Sequence, residues 1–225
     1  MPLTSPFRLA VLVSGRGSNM NALIQARLRG ALDAQVIGVF SDKPGCAALA
    51  LAREHGIETA ALRPRDFASR EAYDESLFNL VAAVHPDLIV CAGYLRLISE
   101  PAVRQFAGRM INIHPSLLPK YPGLDTHARA LAAGEREHGA SVHEVTTALD
   151  AGPVLAQARV PVLEGDDAQI LAQRVLAREH PLLVQCVQKI ATGELAFSGE
   201  RISWHGQPLA APLALNELDL LEEPR

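Results

Sequence analysis

Short apolar runs alternate with helical patterns through the first hundred residues, and this alternation restricts the fold more than any other feature. Residues 9–13 form an unbroken apolar run that leads into a glycine turn, and helical spacing follows over residues 19–29. The cycle repeats, with strands predicted at 36–40, 57–62 and 87–92 and helices at 45–55 and 70–84. Strands that are buried on both faces and linked by helices lie parallel in one sheet. We predict an α/β fold with a Rossmann-like, mostly parallel twisted sheet and helices on both faces.

The pattern changes at a short strand predicted at 110–113. Pro115, Pro119 and Pro122 follow within eight residues, which excludes a helix and predicts an extended loop over 114–123. Beyond it we predict a helix at 126–133, strands at 141–145 and 154–160, a helix from 167 to about 190 that Pro181 should kink, and a small hairpin around Gly199 and Gly206. Because open α/β sheets bind ligands at the carboxyl ends of their strands, the proline loop is a candidate site.

Composition excludes several classes of protein. The 225 residues carry 25 acids and 21 bases, a net charge of −4, so binding to nucleic acid or to an anionic membrane is disfavoured. No apolar run approaches the roughly 18 residues of a membrane span. The three cysteines are scattered, which argues against disulfides and a zinc site. We expect a soluble, cytoplasmic protein without a bound metal.

A glycine-rich segment, Ser-Gly-Arg-Gly-Ser-Asn at 14–19, stands between the first strand and the first helix. Backbone N–H groups and the helix dipole converge on an anion at such a turn. Ser18 and Asn19 are predicted N-caps. The third glycine of a dinucleotide fingerprint is replaced by Met20, so a phosphate monoester suits the segment better than a pyrophosphate. A tight turn with a capped helix and no ligand is the structural alternative.

Asn112 and His114 are two residues apart on a predicted strand, so their side chains should project to the same face. An amide donor beside an imidazole can stabilise an oxyanion and move a proton. As alternatives, the pair could anchor a loop, and Asp150 in its Asp-Ala-Gly-Pro turn could be a turn former. A role for Asp150 depends on proximity to His114. We interpret His143 as a structural histidine rather than a catalytic one.

Three segments together resemble the folate-dependent phosphoribosylglycinamide formyltransferase family: the glycine segment 14–19, the sequence NIHPSLLPKYPG at 112–123, and LDAGPV at 149–154. The resemblance extends from about residue 8 to about residue 208. It implies transfer of a formyl group from 10-formyltetrahydrofolate to the amine of glycinamide ribonucleotide, without a metal. It also implies one formyltransferase domain over 1–208, with a nucleotide-binding half at about 1–106, a folate-binding and catalytic half at about 107–208, and a tail at 209–225.

The same resemblance assigns site residues by position. The catalytic set is Asn112, His114 and Asp150. Asn112 and His114 would stabilise the tetrahedral oxyanion, and Asp150 would raise the pKa of His114 and assist proton transfer. The substrate-binding residues are Gly17, Ser18, Asn19 and Glu179. The folate-binding residues are Arg70, Leu95, Arg96, Leu97, Ile98, Asn112, Thr146, Thr147, Ala148, Leu149 and Asp150. The chain departs from the family pattern at Arg16 and at 181–183. We expect a monomer or a homodimer.

Other functions remain open at this stage. A methionyl-tRNA formyltransferase usually has an Arg-Gly pair after the loop aromatic, where this chain has Pro122 and Gly123. A formyltetrahydrofolate hydrolase usually carries an additional regulatory domain. From a different class, a non-catalytic nucleotide-binding module would use only the glycine segment.

Overall fold

The computed structural model describes residues 6–199 and 201–223. The chain divides after Ile111 into two compact units, each considered below by itself. Residues 1–5 of the predicted domain and residues 224–225 of the predicted tail lie outside the described part. In the described ranges, no helix combines the length and apolar character needed to cross a membrane.

The first unit alternates strands and helices. Its elements are β1 (Phe7–Val13), α1 (Ser18–Leu28), β2 (Ala34–Ser41), α2 (Ala47–Glu54), β3 (Glu58–Ala61), α3 (Arg70–Ala83), β4 (Leu88–Cys91) and α4 (Glu100–Gln105). The strands pair in the order β4, β1, β2, β3, and all three pairings are parallel. Residues 9–13 of β1 are completely buried, as an apolar strand covered on both faces requires. The predicted α/β class is confirmed.

Sequence patterns missed α4. The helix is only six residues long and has a proline in its first turn, so it is too short to show helical periodicity. The predicted N-caps of α1 are also wrong. Gly17 is the N-cap, in a left-handed conformation with φ 79°, and no side chain among residues 6–199 and 201–223 caps the helix. A Cβ on Gly17 would lie 2.6 Å from the Cβ of Ala48, so close packing requires glycine at this position.

The division falls inside β5 (Met110–His114). The second unit continues with α5 (Thr126–Ala132), β6 (Glu137–Glu144), β7 (Val154–Pro161), α6 (Ala168–Ala191), β8 (Leu195–Ser198), β9 (Arg201–Trp204), β10 (Gln207–Pro208), β11 (Leu213–Leu215) and β12 (Leu221–Glu222). Strands β6 and β7 are antiparallel, while β11 runs parallel to β7. Strands β8 to β10 form a separate antiparallel sheet, which extends the predicted hairpin by one strand.

Two features of this unit differ from the sequence predictions. Strand β6 begins at Glu137, four residues before the predicted start at 141, because its pairing with β7 continues to Pro161. Helix α6, in contrast, has nearly the predicted bounds and continues through Pro181. The segment predicted as a tail contains β11, whose Leu213 is fully buried. These elements depend on tertiary contacts that local sequence does not encode.

The C-terminal strands are held by a side chain from α6. Arg178 donates hydrogen bonds to the carbonyl oxygens of Leu215 and Asn216, at 3.2 and 2.7 Å, and forms an ion pair with Asp219. A guanidinium presents several donors in a rigid plane, which suits it to bind several oxygens at once. Arg178 thereby connects α6 to the segment around β11.

Candidate active site

The proline loop that follows β5 is held in one conformation by buried side chains. The Ser141 hydroxyl donates to the Ser116 carbonyl at 2.7 Å and accepts from the Leu118 N–H at 3.0 Å. Gln157 donates to the Leu118 carbonyl at 2.8 Å. The predicted loop is confirmed in place of a helix, but it is bent rather than extended, with a turn at 118–119 and a left-handed backbone at Tyr121, φ 57°. Its backbone polar groups are satisfied by β6 and β7, so the loop is a rigid support rather than a free segment.

Asn112, His114 and Asp150 lie together, as the functional interpretation of the sequence requires. Nδ1 of His114 is 3.4 Å from Oδ2 of Asp150, and Nδ2 of Asn112 is 3.5 Å from Oδ1 of the same carboxylate. His114 is 5% exposed. The structure therefore brings a carboxylate, an imidazole and an amide into contact although they come from separate segments.

Asp150 is fixed by the backbone of the proline loop. Its Oδ2 accepts a hydrogen bond from the N–H of Gly123 at 2.8 Å. Its backbone has φ 48°, a left-handed conformation that aspartate and asparagine tolerate better than most residues. A Cβ on nearby Gly152 would lie 1.9 Å from the carbonyl oxygen of Glu144, so only glycine fits there. The turn residues of the motif thus set the position of the carboxylate.

His143 belongs to the same cluster, which the sequence analysis did not predict. Its Nδ1 is 2.8 Å from the Glu144 carbonyl oxygen, which can only accept a hydrogen bond. In the neutral imidazole the proton is therefore on Nδ1, and Nε2 accepts a hydrogen bond from Nδ2 of Asn112 at 3.1 Å. His143 is buried and hydrogen-bonded, as expected of a structural histidine, but what it orients is the amide of Asn112.

The same reasoning assigns the proton of His114. Its Nε2 is 2.9 Å from the Tyr121 carbonyl oxygen, so Nε2 carries the hydrogen and Nδ1 of the neutral ring faces Asp150. Burial lowers the pKa of His114 below its ordinary value, although the Tyr121 carbonyl and the charge of Asp150 act in the opposite direction. The expected effect of Asp150 thus has the predicted sign, but burial outweighs it.

Asp150 itself is ionised at neutral pH. Burial favours its neutral form, but His143, the N–H of Gly123 and the charge of His114 outweigh burial and hold the pKa of Asp150 below its ordinary value. Oδ2 of the carboxylate is 3.4 Å from Nδ1 of His114, and Oδ1 is 3.5 Å from Nε2 of His143. A proton that arrives at Nδ1 of His114 would therefore be stabilised by an ion pair.

The glycine segment of the first unit is tied to two neighbouring loops. The Ser14 hydroxyl donates to Oδ1 of Asp42 at 2.6 Å and accepts from the Leu95 N–H at 3.1 Å. Gly17 ends the segment, and α1 begins at Ser18 with Asn19 as its second residue. Since no side chain in the described part caps α1 and its first turn has no acidic residue, its N-terminal amides can bind an anion.

The residues assigned to folate binding lie in both units. In the first, Arg70 begins α3, and Leu95 and Leu97 are 64% and 49% exposed, on either side of the half-buried Arg96. In the second, the segment 146–150 is a loop in which Leu149 is 52% exposed. Large apolar side chains that point to solvent in a structured loop are suited to contact a ligand ring.

Glu179 is buried on α6, 8% exposed. Its neighbour Arg178 binds the C-terminal segment through the Asn216 carbonyl oxygen. Across the described ranges, no group of three or more histidine, cysteine, aspartate or glutamate side chains is placed to hold a metal ion.

Comparison with known proteins identifies the family. Residues 7–187 match the formyl transferase family. A phosphoribosylglycinamide formyltransferase of Escherichia coli is 45% identical over 196 residues, which cover 87% of this chain and 92% of that protein. The chain belongs to the phosphoribosylglycinamide formyltransferase family. The resemblance seen in the glycine, proline-loop and LDAGPV segments is thereby confirmed.

Two further members of the family extend the comparison. A trifunctional purine biosynthetic protein of Drosophila melanogaster is 45% identical over 195 residues, 86% of this chain but 14% of that protein. The structure of a phosphoribosylglycinamide formyltransferase from Coxiella burnetii superposes with a TM-score of 0.89 at 40% identity, covering 93% of this chain and 99% of that one. The predicted fold class is that of this family.

Proposed function

We propose that this protein transfers the formyl group of 10-formyltetrahydrofolate to the amine of glycinamide ribonucleotide, a step of purine biosynthesis. Family membership gives the reaction class, and the observation that carries the proposal is the contact of the buried His114 with the half-buried Asn112 and Asp150 in one cluster. The cluster contains an amide donor for an oxyanion and a carboxylate-supported imidazole for a proton. Acyl transfer between an amide nitrogen and an amine requires these two functions.

The amine needs little activation. An α-amino group has a pKa near 8, so a useful fraction of the substrate is already neutral at physiological pH. The difficult steps are formation of the tetrahedral oxyanion and movement of a proton from the attacking nitrogen to the leaving N10 of the folate. The enzyme therefore needs donors and a proton carrier rather than a strong base.

Asn112 supplies the fixed oxyanion donor in this proposal. One hydrogen of its Nδ2 is directed at Nε2 of His143, at 3.1 Å, and the other makes only a long contact, 3.5 Å, with Asp150. Because the amide group is planar, the first hydrogen bond also fixes the second hydrogen, which can donate to the substrate oxygen as that oxygen gains charge. A donor positioned in advance stabilises the transition state without reorganising during the reaction.

His114 and Asp150 carry the proton. Neutral His114 accepts a proton at Nδ1, where Asp150 stabilises the imidazolium at 3.4 Å. Nε2 keeps its hydrogen bond to the Tyr121 carbonyl throughout. Because burial keeps the pKa of His114 low, the imidazolium gives up its proton readily to the departing folate nitrogen.

The substrate phosphate is assigned to the start of α1. Gly17 is the N-cap and Ser18 and Asn19 begin the helix, so their backbone N–H groups lie at the positive end of the helix dipole. Glu179 is assigned to the glycinamide part of the substrate. A carboxylate suits this part because an amide and an amine present only N–H donors to it.

The folate is assigned to the exposed apolar loops already described. We propose that Arg70, residues 95–98 and residues 146–150 contact it, with backbone groups reading the pterin and Leu95, Leu97 and Leu149 supplying apolar surface. The cosubstrate is 10-formyltetrahydrofolate, and the mechanism uses no metal. We also propose a cytoplasmic protein, monomeric or homodimeric, with a formyltransferase domain over 1–208 that has halves at about 1–106 and about 107–208.

One assay tests the reaction. The protein is incubated with glycinamide ribonucleotide and a 10-formylfolate, and the released folate is followed by absorbance. Release of folate only in the presence of glycinamide ribonucleotide supports formyl transfer. Equal release of folate without glycinamide ribonucleotide indicates a hydrolase. Binding of the nucleotide without turnover indicates the non-catalytic module.

Asn19→Leu should raise the KM for the nucleotide far more than the KM for the folate, and equal effects would contradict the phosphate assignment.

A further inference from the structure

The segment 121–123 of the proline loop supplies two contacts of the catalytic cluster from its backbone. The Tyr121 carbonyl oxygen is 2.9 Å from Nε2 of His114, and the Gly123 N–H donates to Oδ2 of Asp150 at 2.8 Å. Both side chains are therefore oriented by the conformation of this segment, and whatever holds the segment also acts on them.

The conformation of Tyr121 is one that a bulky residue rarely adopts. Its backbone is left-handed, with φ 57°, a region that favours glycine. Residues in such conformations keep them only where the surrounding structure imposes them. The contacts of the Tyr121 side chain and of the neighbouring carbonyl groups are therefore part of what directs the Tyr121 carbonyl to His114.

Glu135, between α5 and β6, holds Tyr121 by its hydroxyl. Oε1 of Glu135 accepts a hydrogen bond from the Tyr121 hydroxyl at 2.8 Å. Both carboxylate oxygens also accept from Nζ of Lys120, at 2.8 and 2.9 Å. The hydrogen bonds from Lys120 and Tyr121 hold the pKa of Glu135 below its ordinary value, so the carboxylate is ionised at neutral pH. Hydrogen bonds to an ionised acceptor are stronger than those between neutral groups.

Arg129 on α5 holds the same segment by other groups. Its Nη1 donates to the Pro122 carbonyl at 2.6 Å and to the Leu124 carbonyl at 3.3 Å. Its guanidinium carbon lies 5.4 Å from the centre of the Tyr121 ring, within the range of a cation–π contact. Arg129 and Glu135 thus hold Tyr121 by its ring face, its hydroxyl and the next carbonyl, and we call these two residues the clamp.

Two acceptors compete for the single proton of the neutral His114 ring. Asp150, 3.4 Å from Nδ1, favours a proton on Nδ1, because a carboxylate only accepts hydrogen bonds. The Tyr121 carbonyl favours a proton on Nε2 for the same reason. With the proton on Nδ1, the lone pair of Nε2 would face the carbonyl oxygen at 2.9 Å and be repelled. A carbonyl held in place therefore leaves Nδ1 free to accept a proton.

We propose that Arg129 and Glu135 are positioning residues, which hold the Tyr121 carbonyl so that neutral His114 keeps its proton on Nε2. Their effect on catalysis rests on the proposed function, whereas the tautomer itself does not depend on substrate. Without the clamp, the carbonyl can withdraw and the ring proton can move to Nδ1, where it binds Asp150. Then kcat should fall because Nδ1 no longer accepts a proton, and the KM for each substrate should change little.

The first measurement needs no turnover. Long-range ¹H–¹⁵N NMR spectra at pH 7.5 show which nitrogen of His114 carries the proton, in the wild type and in the double variant Arg129→Met/Glu135→Ala. The wild type should show the Nε2–H form, and the double variant should show a large fraction of the Nδ1–H form. Arg53→Met removes an exposed arginine of the first unit, which donates to Thr59 at 3.0 Å, and should leave the His114 signals unchanged. Unchanged His114 signals in the double variant would overturn the proposal.

The second measurement separates kcat from KM. Each single variant should lower kcat by about twofold to tenfold, the usual worth of a hydrogen bond, and the double variant by about tenfold to a hundredfold. Arg129→Lys and Glu135→Gln should each lose less, since lysine still donates to a carbonyl and glutamine still accepts from the Tyr121 hydroxyl. A lower unfolding temperature with unchanged kcat and tautomer would show a purely structural role and overturn the proposal.

Tyr121→Phe is a milder variant that serves if the double variant does not fold. It removes only the hydroxyl held by Glu135 and keeps the ring and the carbonyl. It should shift the His114 tautomer in the same direction, and its loss of kcat should not add to that of Glu135→Ala. Additive losses would overturn the role of Glu135.

The two measurements also separate this proposal from the proposed function. If the wild type transfers no formyl group, the NMR comparison still decides whether the clamp sets the tautomer. A changed tautomer with an unaltered kcat would support the clamp and contradict the proton transfer assigned to His114. Formyl transfer by the wild type with the same tautomer in every variant would leave the proposed function intact and overturn the clamp.

Discussion

The amide of Asn112 and the imidazole of His143 form a fixed donor–acceptor pair, with Nδ2 and Nε2 at 3.1 Å. The Glu144 carbonyl decides the direction of this hydrogen bond because it holds the only proton of the neutral His143 ring on Nδ1. His143 therefore orients the amide that is proposed to stabilise the oxyanion. It is a positioning residue in this arrangement.

Replacing Asn112 by alanine should lower kcat by about 10² to 10³, or about 3 to 4 kcal/mol, the usual loss for one oxyanion donor. Dissociation constants for both substrates, measured by calorimetry, should change little. A near-normal kcat of Asn112→Ala would contradict the oxyanion role and indicate that Asn112 only anchors a loop.

His143→Ala should also lower kcat, by less than Asn112→Ala, because the amide remains but is free to rotate. The double variant should be no slower than Asn112→Ala alone, since residues that act through one contact are not additive. Pre-steady-state rates of all three proteins measure this. Full additivity would show that His143 acts through something other than Asn112.

Asp150→Asn tests the proton carrier without disturbing the turn, since asparagine tolerates the left-handed conformation of this position. Loss of the negative charge removes an influence that raises the pKa of His114, so this pKa should fall further. The limb of the pH–rate profile that depends on protonated His114 should therefore move to lower pH. Histidine NMR titration of the variant gives the shift directly, and an unchanged His114 pKa would contradict the assignment.

The stability of the fold should decrease as the pH falls below 6.5. Burial lowers the pKa of His138 to about 4, and His127, whose Nδ1 is 3.1 Å from Nε2 of His138, is lowered in the same way. Between pH 4 and pH 6.5 the unfolded chain, whose histidines have their ordinary pKa, binds more protons than the folded chain. Acid therefore favours unfolding. His138 alone should cost on the order of 2 kcal/mol at pH 5. Thermal unfolding of the wild type and of His138→Gln at pH 7.5 and pH 5 measures this, and the variant should lose less.

Gly152→Ala should displace the turn that carries Asp150, because the added Cβ would overlap the Glu144 carbonyl oxygen. Activity should fall sharply, and the unfolding temperature should drop more than for Gly45→Ala. At Gly45 a Cβ meets nothing within 4 Å, which makes it a matched glycine control for stability. Equal unfolding temperatures for the two variants would show that the turn can move without cost.

The sequence was sufficient to predict the parallel α/β order of the first unit, and its resemblance to the family indicated that Asn112, His114 and Asp150 lie together. Apolar runs and proline positions are local signals, and the motif segments are specific to the family. His143 was not predicted as part of the site, because a histidine in a short strand gives no local sign that it faces Asn112, 31 residues away. The predicted N-caps of α1 were wrong. The close approach of Gly17 to Ala48 outweighs the preference of serine and asparagine for the N-cap position.

Two adjacent residues of α6 have different roles, and this limits where the sequence of the protein can be changed. Arg178 holds the carbonyl groups of Leu215 and Asn216, while Glu179 is assigned to the substrate. A fusion partner or an altered sequence near β11 would disturb the contacts of Arg178, one residue away from Glu179. For enzyme engineering, the segment around β11 is thus directly connected to this helix and is not a neutral place of attachment.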